Sequence, residues 1–489
     1  MKGRKVPNKL NFVTSESMAS LHSATIEILS ERGASFENPE AIDLLLEAGA
    51  AFSEDNRITI PESLVQQAIN SAPSKIQIYD RTGNKAMYLG NDDVYCGTGS
   101  DCLFVLDSEA GRCSTLKKDI EVFTRLSDSL SNIDFVLSMG IATDVPTLTA
   151  DLHHFQAMVL NTTKPIVFTI VEPRNLPLII AIANKIAGQA LKNRPFLLHY
   201  AMPSPPLKHS KIALQNVIHC ARHSIPVIYA SGTQLGVSGP MAVAGGVVSA
   251  NADVLAGLVV HQLANPGAPF IYGVGVALLD MKTTVDSYGA PEGLSGNMIN
   301  AQLAAQQYEL PTWGYAACTD SKVLDLQAAI EYMSSTLTGL MSHCHMLHDV
   351  GYLESGLTAS CESIVFGNEV VEIARRILQP FEVNEETVPI DLLKEIDLNQ
   401  TFLKTDHTLR HLRDFYYSPL IDRDRYQPWY EKGRKTMTDR LKYRVQEILA
   451  EHQPVALERE IMIEISNLIR NEDRKYREGK TSQNESIIR

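Results

Sequence analysis

Basic residues are scarce in this chain relative to acidic ones. Lysine and arginine number 44 against 57 aspartates and glutamates, which gives 489 residues a formal net charge of −13 at pH 7. Binding to nucleic acid or to an anionic membrane surface depends on clustered basic side chains. The sequence therefore argues against both kinds of partner.

Long apolar runs are missing as well. None is long enough to span a bilayer, and residues 1–11 are basic and polar with no apolar run after them. The seven cysteines are odd in number and scattered, which does not fit a disulfide framework. We therefore expect a soluble cytoplasmic protein without a signal peptide.

Motifs for common cofactor and metal sites are also absent. No Gly-x-Gly-x-x-Gly follows an early strand, and neither Cys-x-x-Cys nor His-Glu-x-x-His occurs. His343, Cys344, His345 and His348 are crowded, but adjacent side chains point in different directions and do not share one metal easily. We expect no bound metal.

What the chain does contain is a regular alternation of short apolar runs and longer amphipathic stretches. It predicts strands at residues 94–97, 133–140, 165–171, 195–202, 226–230, 269–275, 311–317 and 345–351. It predicts helices at residues 117–130, 150–162, 175–191, 209–223, 241–263, 291–308, 325–342 and 361–378. Eight such βα units favour an α/β fold of the (β/α)8 TIM barrel type over a doubly wound open sheet.

The segments on either side of the predicted barrel have other patterns. Residues 1–93 contain three amphipathic helical stretches and a strand with a turn, which indicates an N-terminal helical cap to the barrel at residues 94–380. Residues 381–489 indicate a C-terminal helical extension, with a long charged helix at 435–449 and a frayed end from about residue 471. The basic stripe at residues 407–413 is either a solvated helix face or a docking surface.

Aromatic side chains recur near the predicted strand ends, where a TIM barrel places its active site. They are Tyr95, Tyr272, Trp313, Tyr315 and Tyr352. Ring faces attract quaternary ammonium groups, so these residues are candidates for a cage around a cation. The alternative is that they are ordinary residues of the barrel core.

Polar candidates lie at the same strand ends. Asp101, Asp320 and Glu354 would either fix loops or balance the charge of a bound cation. His348 is a candidate hydrogen-bond donor to an anionic group, with a satisfied core histidine as the alternative. Ser238 lies at a predicted helix start, where free backbone N–H groups either bind an anion or are simply capped.

Lys322 raises a competing interpretation as a lyase. A lysine with a lowered pKa forms Schiff bases, as aldolase-like lyases require. Such a pKa needs burial or a cationic neighbour, whereas Asp320 and Asp325 lie close in sequence and favour an ion pair.

Several motifs identify a family. They occupy residues 238–246, 251–257, 266–273, 289–292, 319–322, 353–360 and 407–411. In these segments, and along almost its whole length, the chain resembles the trimethylamine methyltransferase superfamily of corrinoid-dependent enzymes. The resemblance implies a TIM barrel that passes a methyl group from an amine to the Co(I) of cobalamin carried by a cognate corrinoid protein. Barrel enzymes are frequently assemblies, so we expect a homo-oligomer.

One departure from the family pattern bears on the substrate. The founding trimethylamine enzymes carry pyrrolysine, whereas this sequence contains only standard residues. A quaternary ammonium leaves as a neutral tertiary amine and needs no acid, so it is the natural donor for the non-pyrrolysine branch, which is associated with glycine betaine and similar compounds. On this interpretation Tyr95, Trp313 and Tyr352 surround the ammonium, and His348 holds the carboxylate with help from Ser238.

Overall fold

A parallel barrel lies at the centre of the computed structural model, which describes residues 4–107, 110–397 and 399–478. Seven regular strands form one parallel sheet. In chain order they are Tyr95–Cys96, Ile166–Phe168, Leu197–Ala201, Val227–Ala230, Phe270–Gly273, Thr312–Tyr315 and Met346–His348.

The second predicted strand, at residues 133–140, differs from the expectation. Apart from a single parallel bridge between Gly140 and Cys102, only Phe135 and Val136 take part in pairing there, through single parallel bridges to Gly97 and to Ile166. The N–H of Val136 donates to the carbonyl of Pro165 at 3.0 Å. These two bridges join the first and last strands of the sheet, so the barrel closes and the predicted (β/α)8 fold is confirmed.

Helices cover the outside of the barrel at every predicted position. They are Lys117–Ser129, Ala150–Asn161, Asn175–Ala187, Lys211–Arg222, Val243–Ala264, Pro291–Gln307, Leu326–Met341 and Cys361–Leu378. Their starts follow ordinary capping chemistry, since Ser210, Asp325 and Ser360 each accept a backbone N–H from three residues ahead.

The helix Val243–Ala264 is apolar on all sides. By length and composition alone it could cross a membrane, so the expectation that no apolar run is long enough is wrong. Yet 72% of the apolar window is buried inside the protein. It packs against the N-terminal helices Ser15–Glu27, Pro39–Glu47 and Glu62–Ser71. A helix of this kind is typical of a protein core.

A β-hairpin closes the N-terminal end of the barrel. Its strands, Ile76–Tyr79 and Lys85–Leu89, send Ile78, Met87 and Leu89 into the same buried cluster as the inward-facing barrel residues. The N–H of Tyr79 donates to Pro195, which directly precedes a barrel strand. The smaller pairings outside the barrel are Ser35–Phe36 with Lys208–His209 and Ala51–Phe52 with Ile58–Thr59.

Two small sheets stand beside the C-terminal opening of the barrel. The first combines Phe104–Asp107 and Gly111–Ser114 with Tyr352–Leu353 and Thr358–Ala359. The second combines Thr233–Leu235, Val276–Leu279 and Asp286–Ser287. Both sheets are built from loops that follow barrel strands, so they form the walls of the opening.

The C-terminal segment is helical where the structure describes it. Its helices are Ile390–Glu395, Asp406–His411, Tyr426–Glu431, Met437–Glu451 and Arg459–Arg477. The expectation of a frayed end from about residue 471 is wrong up to Arg477, because Ile465 and Ile469 are buried and His153 lies 3.2 Å from Asp473. One hydrophobic core runs from Val6 to Ile469, so the three predicted segments share it.

Candidate active site

Trp313 lies in the middle of the barrel beneath its C-terminal opening. The side chain is fully buried, and its ring centroid lies 5.4 Å from that of Phe135 and 5.6 Å from that of Tyr200. Its indole N–H has no hydrogen-bond partner among the described residues. We call the group of side chains gathered around this indole the mouth. Its members are Asp101, Tyr200, Tyr288, Trp313, His348, Asp349 and Tyr352.

His348 contacts the indole and is held by one hydrogen bond. Its Nδ1 lies 2.7 Å from the carbonyl oxygen of Gly314, so Nδ1 carries a proton and donates it. Its Nε2 lies 3.3 Å from Oδ2 of Asp349. Burial lowers the pKa of His348 to about 4, so the ring is neutral at pH 7 and Nε2 offers a lone pair.

Two carboxyl groups, Asp101 and Asp349, belong to this mouth. Both residues have left-handed backbone conformations, with φ of 73° and 68°. Burial raises the pKa of each, and the charge of Asp101 raises the pKa of Asp349 further, well above its usual value. Asp101 as a residue is nevertheless exposed to solvent, whereas Asp349 is buried. A bound cation would stabilise the negatively charged form of these carboxyl groups, which the site otherwise disfavours.

Tyrosine rings surround these acids. Tyr288 lies edge-on to Tyr315 at 5.5 Å and to Tyr352 at 6.3 Å between ring centroids. Tyr352 packs against Gly99, where a Cβ atom would come within 2.3 Å of the ring. Burial raises the pKa of each of these tyrosines, and the charge of Asp349 adds to the shift. Their hydroxyls therefore stay protonated.

Asp320 fixes the loop that carries Tyr288. Its carboxylate accepts the backbone N–H of Tyr288 at 2.8 Å and that of Gly289 at 3.2 Å. It also accepts the hydroxyls of Ser287 and Ser355. Four donors satisfy this carboxylate, so its contacts are those of a residue that positions the loop.

Two cysteines lie near the mouth, but neither is an activated nucleophile. Burial raises the pKa of Cys102 and of Cys318 well above the usual value, and nearby aspartates add to both shifts. The thiolate is the reactive form of cysteine, so these side chains stay unreactive thiols.

The family model described as trimethylamine methyltransferase (MTTB) matches residues 3–477. The chain belongs to the trimethylamine methyltransferase family. It is 29% identical over 470 residues to trimethylamine methyltransferase MttB of Desulfitobacterium hafniense, covering 94% of both chains. It is 28% identical over 466 residues to glycine betaine methyltransferase of the same species, covering 94% of this chain and 96% of the relative.

A solved structure of a further methylamine enzyme has the same fold. The monomethylamine methyltransferase of Methanosarcina barkeri matches 97% of this chain and 90% of its own, at 12% identity and a TM-score of 0.50. At that identity the match supports the fold alone. It agrees with the barrel that the sequence pattern predicts.

Within this family member, the structure brings together five of the predicted site residues. Trp313, Tyr315, His348, Tyr352 and Asp101 all lie at or beside the mouth. Asp320 lies just outside them and holds the neighbouring loop.

Five other predicted residues lie elsewhere. Tyr272 belongs to the hydrophobic core, and its hydroxyl donates to Oδ1 of Asn251 at 2.8 Å. Tyr95 is at the N-terminal end of the barrel, where its hydroxyl accepts the N–H of Tyr88 at 3.1 Å. Glu354 forms an ion pair with Arg112 at 2.9 Å. Lys322 is exposed and donates to the carbonyl of Asp320 at 2.9 Å.

Ser238 also lies away from any helix start. The helix that it was expected to open begins at Val243, with Ala242 as its N-cap. The hydroxyl of Ser238 instead accepts the N–H of Gln234 at 2.8 Å. A tight turn there uses the serine locally, so the predicted helix N-terminus at Ser238 is wrong.

Three residues of the mouth were not among the predicted site residues. Tyr200 and Asp349 stand at strand ends and carry the right chemistry, so a fuller use of strand-end position would have found them. Tyr288 lies in a loop after the antiparallel pairing of Val276–Leu279 with Asp286–Ser287. No strand-end rule points to a residue in such a loop.

Proposed function

We propose that this chain transfers a methyl group from a quaternary amine to the Co(I) of a corrinoid carried by a separate protein. Glycine betaine or a related betaine is the proposed donor. The observation that carries the proposal is the mouth itself, where aromatic rings meet the carboxyl groups of Asp101 and Asp349 near the indole of Trp313. Family membership supports the reaction class, and the relative named glycine betaine methyltransferase supports the donor.

The ammonium group would lie among Tyr200, Tyr288, Tyr352 and Trp313. Ring faces attract such a group with about 2 kcal/mol or more when water is excluded. Asp101 and Asp349 provide negative charge to the same space, since the bound cation lowers their raised pKa values.

The methyl acceptor comes from outside the chain in this proposal. The thiols of Cys102 and Cys318 are protonated, and Lys322 is exposed and points to a backbone carbonyl. The corrinoid of the partner protein would supply the nucleophile. The residues of this chain hold the donor in line with the open end of the barrel and exclude water from it.

Departure of the amine needs no acid on this route. A quaternary ammonium leaves as a neutral tertiary amine, and His348 is neutral at pH 7 because burial lowers its pKa to about 4. A neutral tertiary amine as donor would need a proton on its nitrogen. The sequence contains only standard residues and so lacks the pyrrolysine of the founding trimethylamine enzymes.

His348 and Asp349 together would bind the carboxylate of a betaine. His348 Nε2 has a lone pair, so it cannot donate to a carboxylate unless it receives a second proton. Oδ2 of Asp349 lies 3.3 Å from Nε2, and the raised pKa of Asp349 favours a proton on its carboxyl group. We propose that a proton supplied by Asp349 serves the carboxylate. The homo-oligomer and the cytoplasmic location stay predictions.

The test is an absorbance assay with free cob(I)alamin and a panel of amines. We expect methylcobalamin with glycine betaine or another betaine and none with trimethylamine. Lys322→Ala is the matched variant for the lyase alternative, and its activity should equal that of the unchanged protein. Methyl transfer from trimethylamine but from no quaternary amine would overturn the proposed donor.

A further inference from the structure

The C-terminal extension contains a second cluster of chemically active side chains. Ligating atoms of Glu386, His407 and His411 all lie within 4.8 Å of one another. The two histidines are four residues apart on the helix Asp406–His411, so they share one face, and their ring centroids are 4.4 Å apart. Two histidines at this spacing with a carboxylate from another segment are a known arrangement for zinc.

His411 is oriented as a metal-binding histidine would be. Its Nδ1 lies 2.6 Å from the carboxylate of Asp414, which holds the proton on Nδ1. Its Nε2 is shielded from solvent and has no hydrogen-bond partner among the described residues. A carboxylate behind a histidine in this way fixes the ring and increases its strength as a ligand.

The spacing of the ligand atoms also fits. His411 Nε2 lies 3.4 Å from Oε1 of Glu386. In a tetrahedral zinc site with bonds of about 2.0–2.1 Å, two ligand atoms lie about 3.3–3.4 Å apart. A direct hydrogen bond would bring the same two atoms to about 2.9 Å.

The segment around these residues has no buried core of its own, and a bound metal would stabilise it. Between residues 376 and 419 no described residue is buried, and Phe381, Val383 and Phe415 are 80%, 83% and 71% exposed. A segment without its own core depends on other cross-links to hold one conformation. Metal binding contributes folding free energy directly to the chain that it joins.

We propose that Glu386, His407 and His411 bind one Zn²⁺ ion, with Asp414 orienting His411, and that the ion joins the loop before Ile390–Glu395 to the helix Asp406–His411. The site is structural and is separate from the reaction at the mouth. It differs from the crowded residues 343–348, where the ring of His343 bonds Asn11 and that of His345 bonds Thr312.

Two existing contacts must yield for the ion to bind. Arg410 donates to Oε1 of Glu386 at 2.9 Å, and Nε2 of His407 lies 2.8 Å from the carbonyl oxygen of Glu386. Both contacts are on the exposed surface, where such pairs contribute only about 0–1 kcal/mol. Structural zinc sites bind with a free energy on the order of 10 kcal/mol, which exceeds the free energy lost when the two contacts break.

The experiment is a zinc titration of the full chain after removal of metal with a chelator, using a chromophoric zinc indicator as competitor. We expect one equivalent bound, and a loss of affinity of at least 100-fold in His407→Ala/His411→Ala. The matched control is His219→Ala/His223→Ala, because these histidines are also four residues apart on a helix, with ring centroids 4.3 Å apart. That control should leave the affinity unchanged.

A second readout is limited proteolysis within residues 381–419. Added zinc should slow cleavage there at least tenfold in the unchanged protein and have no effect in His407→Ala/His411→Ala. Equal zinc affinity in the unchanged chain and this variant, or no binding by either, would overturn the proposal. In that case His411 serves only as an ion-pair partner of Glu386 and Asp414.

Discussion

The imidazole of His348 packs against the indole of Trp313, with ring centroids 4.3 Å apart and planes tilted by 34°. The two residues stand on neighbouring parallel strands, Thr312–Tyr315 and Met346–His348. The bond from Nδ1 to Gly314 prevents the ring from turning over. Nε2 therefore faces Oδ2 of Asp349, 3.3 Å away, and we expect the protonation of this pair to respond to whatever charge enters the mouth.

Binding of a cation should release protons from the mouth. A quaternary ammonium beside Asp349 and Asp101 lowers their raised pKa values, so protons leave on binding. We expect tetramethylammonium binding to release protons in the pH range over which these carboxyl groups titrate, measured by calorimetry in buffers of different ionisation enthalpy. Glycine betaine should release fewer protons, because its carboxylate favours a proton on the His348–Asp349 pair. Asp349→Asn should remove this difference, and absence of proton release at every pH tested would contradict the assignment.

The ring of Tyr288 should matter more than its hydroxyl. Tyr288→Phe keeps an aromatic face next to Tyr315 and Tyr352, so the KM for the quaternary amine should change by less than about threefold. Tyr288→Leu removes the face and should raise KM about tenfold, in line with 1–2 kcal/mol for a desolvated cation–π contact. The neutral tert-butyl analogue of the donor serves as the control ligand. If Tyr288→Leu weakens binding of this neutral analogue as much as binding of the cation, the effect comes from the shape of the site and not from attraction between the ring and the charge.

Asp320 should act on the reaction through the loop that it holds. Asp320→Ala removes the acceptor of four donors, including the N–H of Tyr288, so KM should rise at least tenfold while the fold persists. Asp325→Ala is a close control, because it removes the N-cap of Leu326–Met341 at a cost of about 1 kcal/mol without touching the loop. Similar KM values for the two variants would rule out the positioning role of Asp320.

The stabilising contribution of His209 should depend on pH. Burial lowers its pKa from 6.5 to about 3, and its Nδ1 lies 2.7 Å from the hydroxyl of Tyr229. The unfolded chain binds a proton here below pH 6.5 and the folded chain does not, so this contribution is complete above pH 6.5 and falls toward pH 3. The loss of unfolding free energy in His209→Asn should therefore shrink by up to about 1.4 kcal/mol per pH unit between pH 6.5 and 5. Denaturant unfolding measures this, with the exposed His223→Asn expected to lose little at either pH.

Periodicity predicts most of the barrel because its helices are long and its strands are apolar on both faces. The predicted strand at residues 133–140 fails in detail because side chains replace part of the backbone pairing there, although the N–H groups of Asp134 and Met139 still donate to the carbonyls of Cys96 and Gly99. The N–H of Leu137 donates to the hydroxyl of Thr98 at 2.9 Å, and Asp134 is held by Arg4 and Arg375 at 2.7 and 3.3 Å. An apolar run does not reveal such substitutions.

Prediction of the site depended on knowing which end of a strand a residue occupies. Trp313 and His348 belong to strands of four and three residues and lie beneath the C-terminal opening, and their role in the site stays a prediction. Tyr95 begins a strand of only two residues, so a small shift decides between the two ends of the barrel. Tyr288 depends on a long-range bond to Asp320, which local sequence does not encode.

The hairpin of Ile76–Tyr79 and Lys85–Leu89 closes the N-terminal end of the barrel. Among the described residues, the C-terminal opening is therefore the single entrance. In the proposed reaction, the amine, its demethylated product and the corrinoid all have to use that entrance. The amine must then enter before the partner protein docks, and the product must wait until the partner withdraws. Closure of the N-terminal end thereby fixes the order in which the amine, the partner protein and the product pass or occupy the C-terminal opening.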